Sequence, residues 1–486
     1  MPSAFRSLLR TWLVLLAASL TVALPLARAA DDLPDIGSST ERILPVAQEQ
    51  ELGDAIMRQV RRQLPMNDDP EIVDFINHIG FQLVANNPDA KGRNFYFFVA
   101  RDPSINAFAL PGGYVAVHSG LIAITEHESE LAAVLGHEIA HVTQRHIARR
   151  LEAQSHLSMP MLAGVLVGVL AIAAGAGDAG MAAMAGTQAG AQQSLINYTR
   201  SNEAEADRVG IETLASAGFD PFAVPSMFEK MQQSARYERR PPEFLLTHPV
   251  TENRISDGRQ RAAQYPRGKD LEPLEFALFK ARLQDLEAKN PEDSLKNYEQ
   301  ILRANPKDAS ASYGKALALT RLKRYGEAAP VLAELLAREP NRQAYVLAQA
   351  RLDMAEGRNA QARAALEKQL KINPGNHPLT MAYAQVLLAM NEPGKARDVL
   401  QEHLYGHENE VLVYTLLAEA EGRAGYMDEV FETQAQQYFL MGDIERAIRH
   451  LRQALRQRSD DPYARERIRA RLQQLDDMFQ KDMARR

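Results

Sequence analysis

No cysteine occurs among the 486 residues. That excludes disulfides, thiolate metal ligands and a lipid-modified leader cysteine, so stability must come from packing or from a metal held by nitrogen and oxygen donors. Tryptophan occurs once, at Trp12, inside an apolar N-terminal run. An excess of either charge is also missing: 56 Lys and Arg face 62 Asp and Glu, a formal net of −6, with both signs spread along the chain. That distribution leaves no basic footprint for nucleic acid. The length is too great for one core and predicts two or more domains.

Arg6 and Arg10 precede the apolar run Trp12 to Leu26, and Ala27-Arg28-Ala29 supplies small residues at −3 and −1. This reads as a secretory signal peptide over 1–29, cleaved near Ala29, which implies a periplasmic protein in a Gram-negative source. An uncleaved anchor is the competing reading, and the run is short for a membrane span.

His137-Glu138-Ile139-Ala140-His141 is the run richest in chemistry. Residues four apart share a helical face, so both imidazoles can reach one zinc ion, and Glu138 follows the first histidine as a general base. Zinc lowers the pKa of a coordinated water to about 7. Ser129 to Arg150 reads as one helix, with Thr125 and Glu128 as a capping box and Gly136 leaving room for close backbone approach. His146, five residues after His141, falls off the metal-facing side and reads as surface. A catalytic zinc takes three protein ligands and leaves one position open. In Asn202-Glu203-Ala204-Glu205-Ala206-Asp207, Glu203 completes a His-His-Glu set. Asp207, one turn on, is placed to orient a ligand imidazole, and Glu205 points to solvent. Two histidines on a core helix beside an exposed acidic helix is the bland alternative.

These runs, with Asn106-Ala107-Phe108-Ala109-Leu110-Pro111-Gly112-Gly113 upstream and Thr247-His248-Pro249 downstream, resemble the HtpX-like gluzincin metallopeptidases. With the leader and the repeats described below, the resemblance narrows to periplasmic members that act on β-barrel outer-membrane proteins. It implies one zinc ion per chain on His137, His141 and Glu203, with Glu138 as base. It also implies that His248 lies near the metal, either as an oxyanion donor or as a ligand filling the open position, with Arg254 as support for either role. The implied partners are misfolded or stalled outer-membrane proteins and the outer-membrane assembly machinery.

Phe95 to Ala100 and Tyr114 to Val117 read as strands flanking the Pro111-Gly112-Gly113 turn. Peptidases of this kind bind substrate along a sheet edge. Gly112 to Val117, with Gly113, Tyr114 and Val115 at its centre, is the candidate edge; an ordinary hairpin is the alternative. Met159 to Gly177 carries no charge over nineteen residues. A span there would separate the zinc helix from Glu203, so it reads as an apolar flap in peripheral contact with membrane rather than a crossing helix.

Pro306, Pro340 and Pro374 recur at 34 residues, as do Ala328, Ala362 and Ala396, with Ser294 in the preceding register. That is the tetratricopeptide period, although the consensus tryptophan is missing. Tyr325-Gly326-Glu327-Ala328 and Gly357-Arg358-Asn359-Ala360 fit the inter-helix turns. Ala447 follows Ala396 by 51 residues, one and a half periods, which predicts a shift of one helix near the end. About four repeats plus extra helices are expected, forming a concave surface for a protein partner. Tyr265 to Asp270 reads as a linker.

The expected fold is an α+β gluzincin zinc-metallopeptidase domain, mostly helical with a small β-sheet, over 30–266. An all-α tetratricopeptide-repeat solenoid follows over 271–486. Two functions compete: a zinc endopeptidase whose repeats recruit substrates, and a non-enzymatic chaperone in which zinc only holds the fold. Glu138 separates them, because a structural zinc site needs no base. A membrane-embedded protease is a third reading, resting on 159–177.

Overall fold

A computed structural model describes residues 44–153, 189–237, 242–268, 270–457 and 461–485. The expected signal peptide over 1–29 and the expected apolar flap over 159–177 lie outside the described residues. Among the described residues, no helix is long and apolar enough to cross a membrane.

Two helices open the fold, α1 (Val46–Gln63) and α2 (Pro70–Ala85), the latter capped by the Asp69 carboxylate, which accepts from Glu71 N–H. Three short strands follow: β1 (Tyr96–Ala100), β2 (Ala107–Leu110) and β3 (Tyr114–His118). The sheet order is β1-β3-β2, with β1 parallel and β2 antiparallel to β3. β3 is therefore the central strand, buried at all five positions, and Gly113, Tyr114 and Val115 do not form an edge. What closes the sheet is the β2–β3 hairpin. At its turn Gly113 has φ +79°, and a Cβ there would meet the Asn94 carbonyl oxygen at 1.8 Å, so only glycine fits. The free edge is β2. The outer side of β1 is covered at its end by Asn67 N–H, which donates to the Val99 carbonyl, and by Arg101 N–H, which donates to the Pro65 carbonyl.

Side-chain alternation gives the sheet two buried faces. Phe97, Val99, Val115 and Val117 join Ile72, Ile76 and Ile79 of α2 in the main core. Ala100, Leu110 and Tyr114 pack with Ile56, Met57 and Val60 of α1 on the other face. After α3 (Ser119–Ile124), helix α4 (Glu128–Thr143) runs through the centre, with every residue but His141 buried. It ends earlier than the sequence predicts. Arg145 takes a left-handed φ of +54° and a new helix, α5 (His146–Ala153), begins. The Arg145 guanidinium, which donates to the Leu44 carbonyl and lies 3.3 Å from Glu49, holds the break open. The expected capping box is also absent. His127 is the N-cap residue, and the Glu128 carboxylate accepts instead from the Leu271 and Glu272 N–H groups at 3.0 Å each.

Helices α6 (Ala189–Ser216), α7 (Ala223–Tyr237), α8 (Glu243–Thr247) and α9 (Glu252–Ala262) complete this part. Among the described residues, twelve further helices make the array, in pairs: α10 (Pro273–Glu287) and α11 (Pro291–Ala304), α12 (Ala309–Arg321) and α13 (Tyr325–Arg338), α14 (Gln343–Ala355) and α15 (Asn359–Ile372), α16 (His377–Ala389) and α17 (Pro393–Leu404), α18 (Val411–Ala424) and α19 (Met427–Leu440), α20 (Ile444–Gln457) and α21 (Pro462–Arg485). Left-handed residues at Lys323, Gly357, Asn391 and Gly425 carry the 34-residue period into the turns within four of these pairs. Gly442 repeats the turn 17 residues later, so α19 closes one repeat and opens the next, the one-helix shift that Ala447 signals.

The stretch before the array is pinned rather than free. Asp270 lies 2.9 Å from His127 and accepts from Ser129 N–H, and Arg267 pairs with Asp220. Helix α10, assigned by period to the repeats, buries Phe276, Phe279 and Leu283 in the same core as α2 and α4.

Candidate metal centre

Glycine brings the two ligand helices together. Gly136 on α4 lies against Gly210 on α6, where a Cβ on Gly210 would stand 3.2 Å from the His137 backbone nitrogen. This close crossing sets Glu203 and Asp207 of α6 beside His137 and His141. His137 Nε2 and His141 Nε2 are 3.1 Å apart, and the Glu203 carboxylate lies 3.4 Å from the first and 3.5 Å from the second.

His248 joins them from α8. It is the C-cap residue of that helix, its ring stacked on buried Phe244, and its Nδ1 lies 3.1 Å from Glu203 Oε1 and 3.5 Å from His137 Nε2. Phe244 N–H donates to the Ile105 carbonyl, and Ser104 Oγ donates to Glu243, so the segment before β2 anchors the turn that carries His248.

Two donors bound about 2.0–2.1 Å from a tetrahedral ion stand about 3.3 Å apart. The separations of 3.1 to 3.5 Å among His137, His141, Glu203 and His248 fit that requirement. Two or three imidazoles and a carboxylate suit a borderline divalent ion such as zinc. Glu138 stands just outside the four. It is 1% exposed, and its Oε1 lies 3.6 Å from His248 Nε2 with no hydrogen-bond partner among the described residues.

A second layer of charge surrounds the donors. Asp207 Oδ1 lies 3.0 Å from His137 Nδ1. Arg254 donates to both Asp207 oxygens at 2.7 Å and lies 3.0 Å from Glu203, so one guanidinium ties the two acidic residues together. Burial works against the charged forms, yet Glu203 stays well below the usual carboxylate range because His248, His137 and His141 face it. Burial would likewise lower His137, but Asp207 and Glu203 override it and raise its pKa to about 10.

His146 is buried rather than on the surface, and Glu205 is only partly exposed. The break at Arg145 turns α5 back over α6. His146 is 4% exposed with its Nδ1 2.9 Å from His141 Nδ1, and its Nε2 meets Glu205, which also accepts from Arg149 at 2.7 Å. The nitrogen of His141 that faces away from the other donors thus ends in a His146–Glu205–Arg149 chain. The His141–His146 spacing is visible in the sequence, but nothing local announces the break that brings the rings together.

Residues 78–262 match Peptidase family M48, and 285–342 and 353–420 match tetratricopeptide repeats. All the donors, with Glu138, Asp207 and Arg254, fall inside the first match. The putative beta-barrel assembly-enhancing protease of Vibrio cholerae is 40% identical over 448 residues, 91% of this chain and 92% of that one. The chain belongs to the β-barrel assembly-enhancing protease family. The Escherichia coli K12 member is 36% identical over 478 residues, 97% of each chain. A shorter stretch of the chain is similar to the mitochondrial metalloendopeptidase OMA1 of Schizosaccharomyces pombe, 34% identical over 158 residues, 32% of this chain and 43% of that one. The protein is thus a metallopeptidase of this family, with a repeat array packed against its peptidase part.

Proposed function

We propose that the protein is a periplasmic zinc endopeptidase that removes misfolded or stalled β-barrel outer-membrane proteins and assists their assembly. In this reading its repeats recruit those clients or the assembly machinery. Its compartment rests on the leader pattern over 1–29. His137, His141 and Glu203 would hold the ion, which would supply Lewis acidity to a water and to the peptide carbonyl. Glu138 takes the proton from the attacking water and passes it to the leaving amine. Asp207 and Arg254 orient His137 and Glu203. His248, 3.1 Å from Glu203 and 3.5 Å from His137, would serve as a fourth donor that keeps water and substrate from the site until a client enters. The free β2 edge, next to the segment that anchors α8, suits an extended substrate strand.

The observation that carries the reading is Glu138, a buried carboxylate beside four metal donors whose Oε1 is bonded to none of the described residues. A scaffold zinc site has no use for it. Glu138→Gln should keep one ion at this site and the fold while losing casein cleavage by 100-fold or more, since a positioned acid–base group contributes roughly 10²–10⁴-fold. Cleavage near the wild-type rate with the metal retained refutes the mechanism.

A further inference from the structure

Three of the chain's 12 histidines, His377, His403 and His407, meet apart from the peptidase donors. His377 is the first residue of α16 and 4% exposed; His403 lies in the last turn of α17 and is 7% exposed. His407 follows the left-handed Gly406 in the turn before α18, its side chain 25% exposed. The three rings lie within 4.2 to 5.1 Å of one another, centroid to centroid, and one donor atom from each falls within 4.8 Å of the others. A tetratricopeptide repeat packs small and apolar residues at such helix contacts, so three clustered imidazoles need another account.

Glu410 supplies it. Its Oε2 lies 2.9 Å from His377 Nε2 and its Oε1 2.7 Å from His407 Nδ1. Accepting from both outer nitrogens, the carboxylate leaves the lone pairs on His377 Nδ1 and His407 Nε2, the arrangement that orients and strengthens metal-bound imidazoles. His377 Nδ1 stands 2.9 Å from His403 Nε2, so those two nitrogens share one spot.

We propose that His377, His403 and His407 form a second metal site, for a borderline divalent ion of the zinc class, with Glu410 fixing the ligand tautomers. Three nitrogens and a partly exposed side leave the fourth position to water. The chain then carries two ions rather than one. The site lies where the array meets the peptidase part. Helix α16 packs on α2, and Arg61 of α1 donates to the Asn409 carbonyl at 2.7 Å, one residue from Glu410. An ion that orders the 405–410 turn therefore orders this contact as well.

The test uses the full mature chain, stripped by chelation and dialysed against zinc, with bound metal counted by mass spectrometry. Wild type should hold two equivalents. A His137→Ala/His141→Ala protein, with the peptidase ligands gone, should keep one, and added zinc should raise its thermal midpoint. Adding His403→Gln to that background should remove both the last equivalent and the zinc-dependent shift. One equivalent in wild type and none in the His137→Ala/His141→Ala protein would overturn the proposal, and so would an equivalent that survives His403→Gln. If the triple variant fails to fold, the double variant still decides: a retained equivalent supports the site and its absence refutes it.

Discussion

Phe279→Ala tests whether α10 belongs mechanically to the peptidase core. The ring is 5% exposed and stacks on Phe75 of α2 at 4.3 Å between centroids, with Phe276 at 6.2 Å. Truncating a buried phenylalanine costs roughly 3–5 kcal/mol. The Phe75 stack, of a kind worth about 0.5–1.5 kcal/mol beyond burial, puts this site in the upper half of that range. Set against a fold stable by about 5–15 kcal/mol, the loss is large. The assay is urea denaturation of the full chain, followed in parallel by far-ultraviolet circular dichroism and by residual casein cleavage after dilution. Both midpoints should fall together, because the ring is shared between the first array helix and the core that carries α4. A loss below about 1 kcal/mol, or a dichroism midpoint that falls while the activity midpoint stays, would refute the shared core. By the same reasoning a chain ending at residue 270 removes Phe276, Phe279 and Leu283 from the core together and should be insoluble.

Four other outcomes are expected. Glu203→Ala should lose metal and activity, whereas Asp207→Ala should weaken metal binding by about 10–100-fold, measured by competition with a chromophoric chelator. His248→Ala at equal zinc occupancy should raise casein turnover if the histidine blocks the site; a fall of about 100-fold or more would instead mark it as an oxyanion donor, and no change would exclude both roles. Arg282→Met should cost about 3–5 kcal/mol at pH 7, because it takes from buried Asp69 its guanidinium partner 2.6 Å away, while Glu71 keeps its pairing with Arg351. Although burial opposes ionisation, Arg282 and Arg351 hold the Asp69 pKa below its ordinary 3.8. Its stabilisation is therefore present above about pH 4 and lost as pH falls through the folded value, so the gap between wild type and Arg282→Met should narrow from pH 5 to pH 3 in urea titrations.

The legible part of the site was the part written at helical spacing. His137 and His141 share a face within one turn, and Glu203 and Asp207 do so on a second helix; the glycine at 136 announces the close crossing. His248 carries no local signal and entered only through family resemblance. The errors share one cause, which is that they depend on contacts distant in the chain. The break after α4 falls at Gln144-Arg145, with neither glycine nor proline, and is held by Leu44 and Glu49, about a hundred residues upstream. Strand order is not set by chain order: β2 spans only Ala107–Leu110, and its hairpin inserts β3 between the other two strands. Tyr265 to Asp270 has linker composition, yet its last residue is held by His127 and Ser129.

The capping box that fails at Thr125 and Glu128 explains how the two parts are joined. Glu128 starts α4 and spends its carboxylate on Leu271 and Glu272, at the entry to α10. Burial pushes its pKa up, and the two N–H donors and the start of a helix offset that cost. At about 1.5 Å per residue, His137 stands about 14 Å along the same helix. That helix is buried along nearly its whole length, and close-packed interiors transmit displacement rather than absorb it. The first array helix therefore bears on the metal-binding helix through one carboxylate and on the core through Phe276 and Phe279. Among the described residues, the array thus meets the metal-binding helix through buried contacts on both sides of the stretch that joins them.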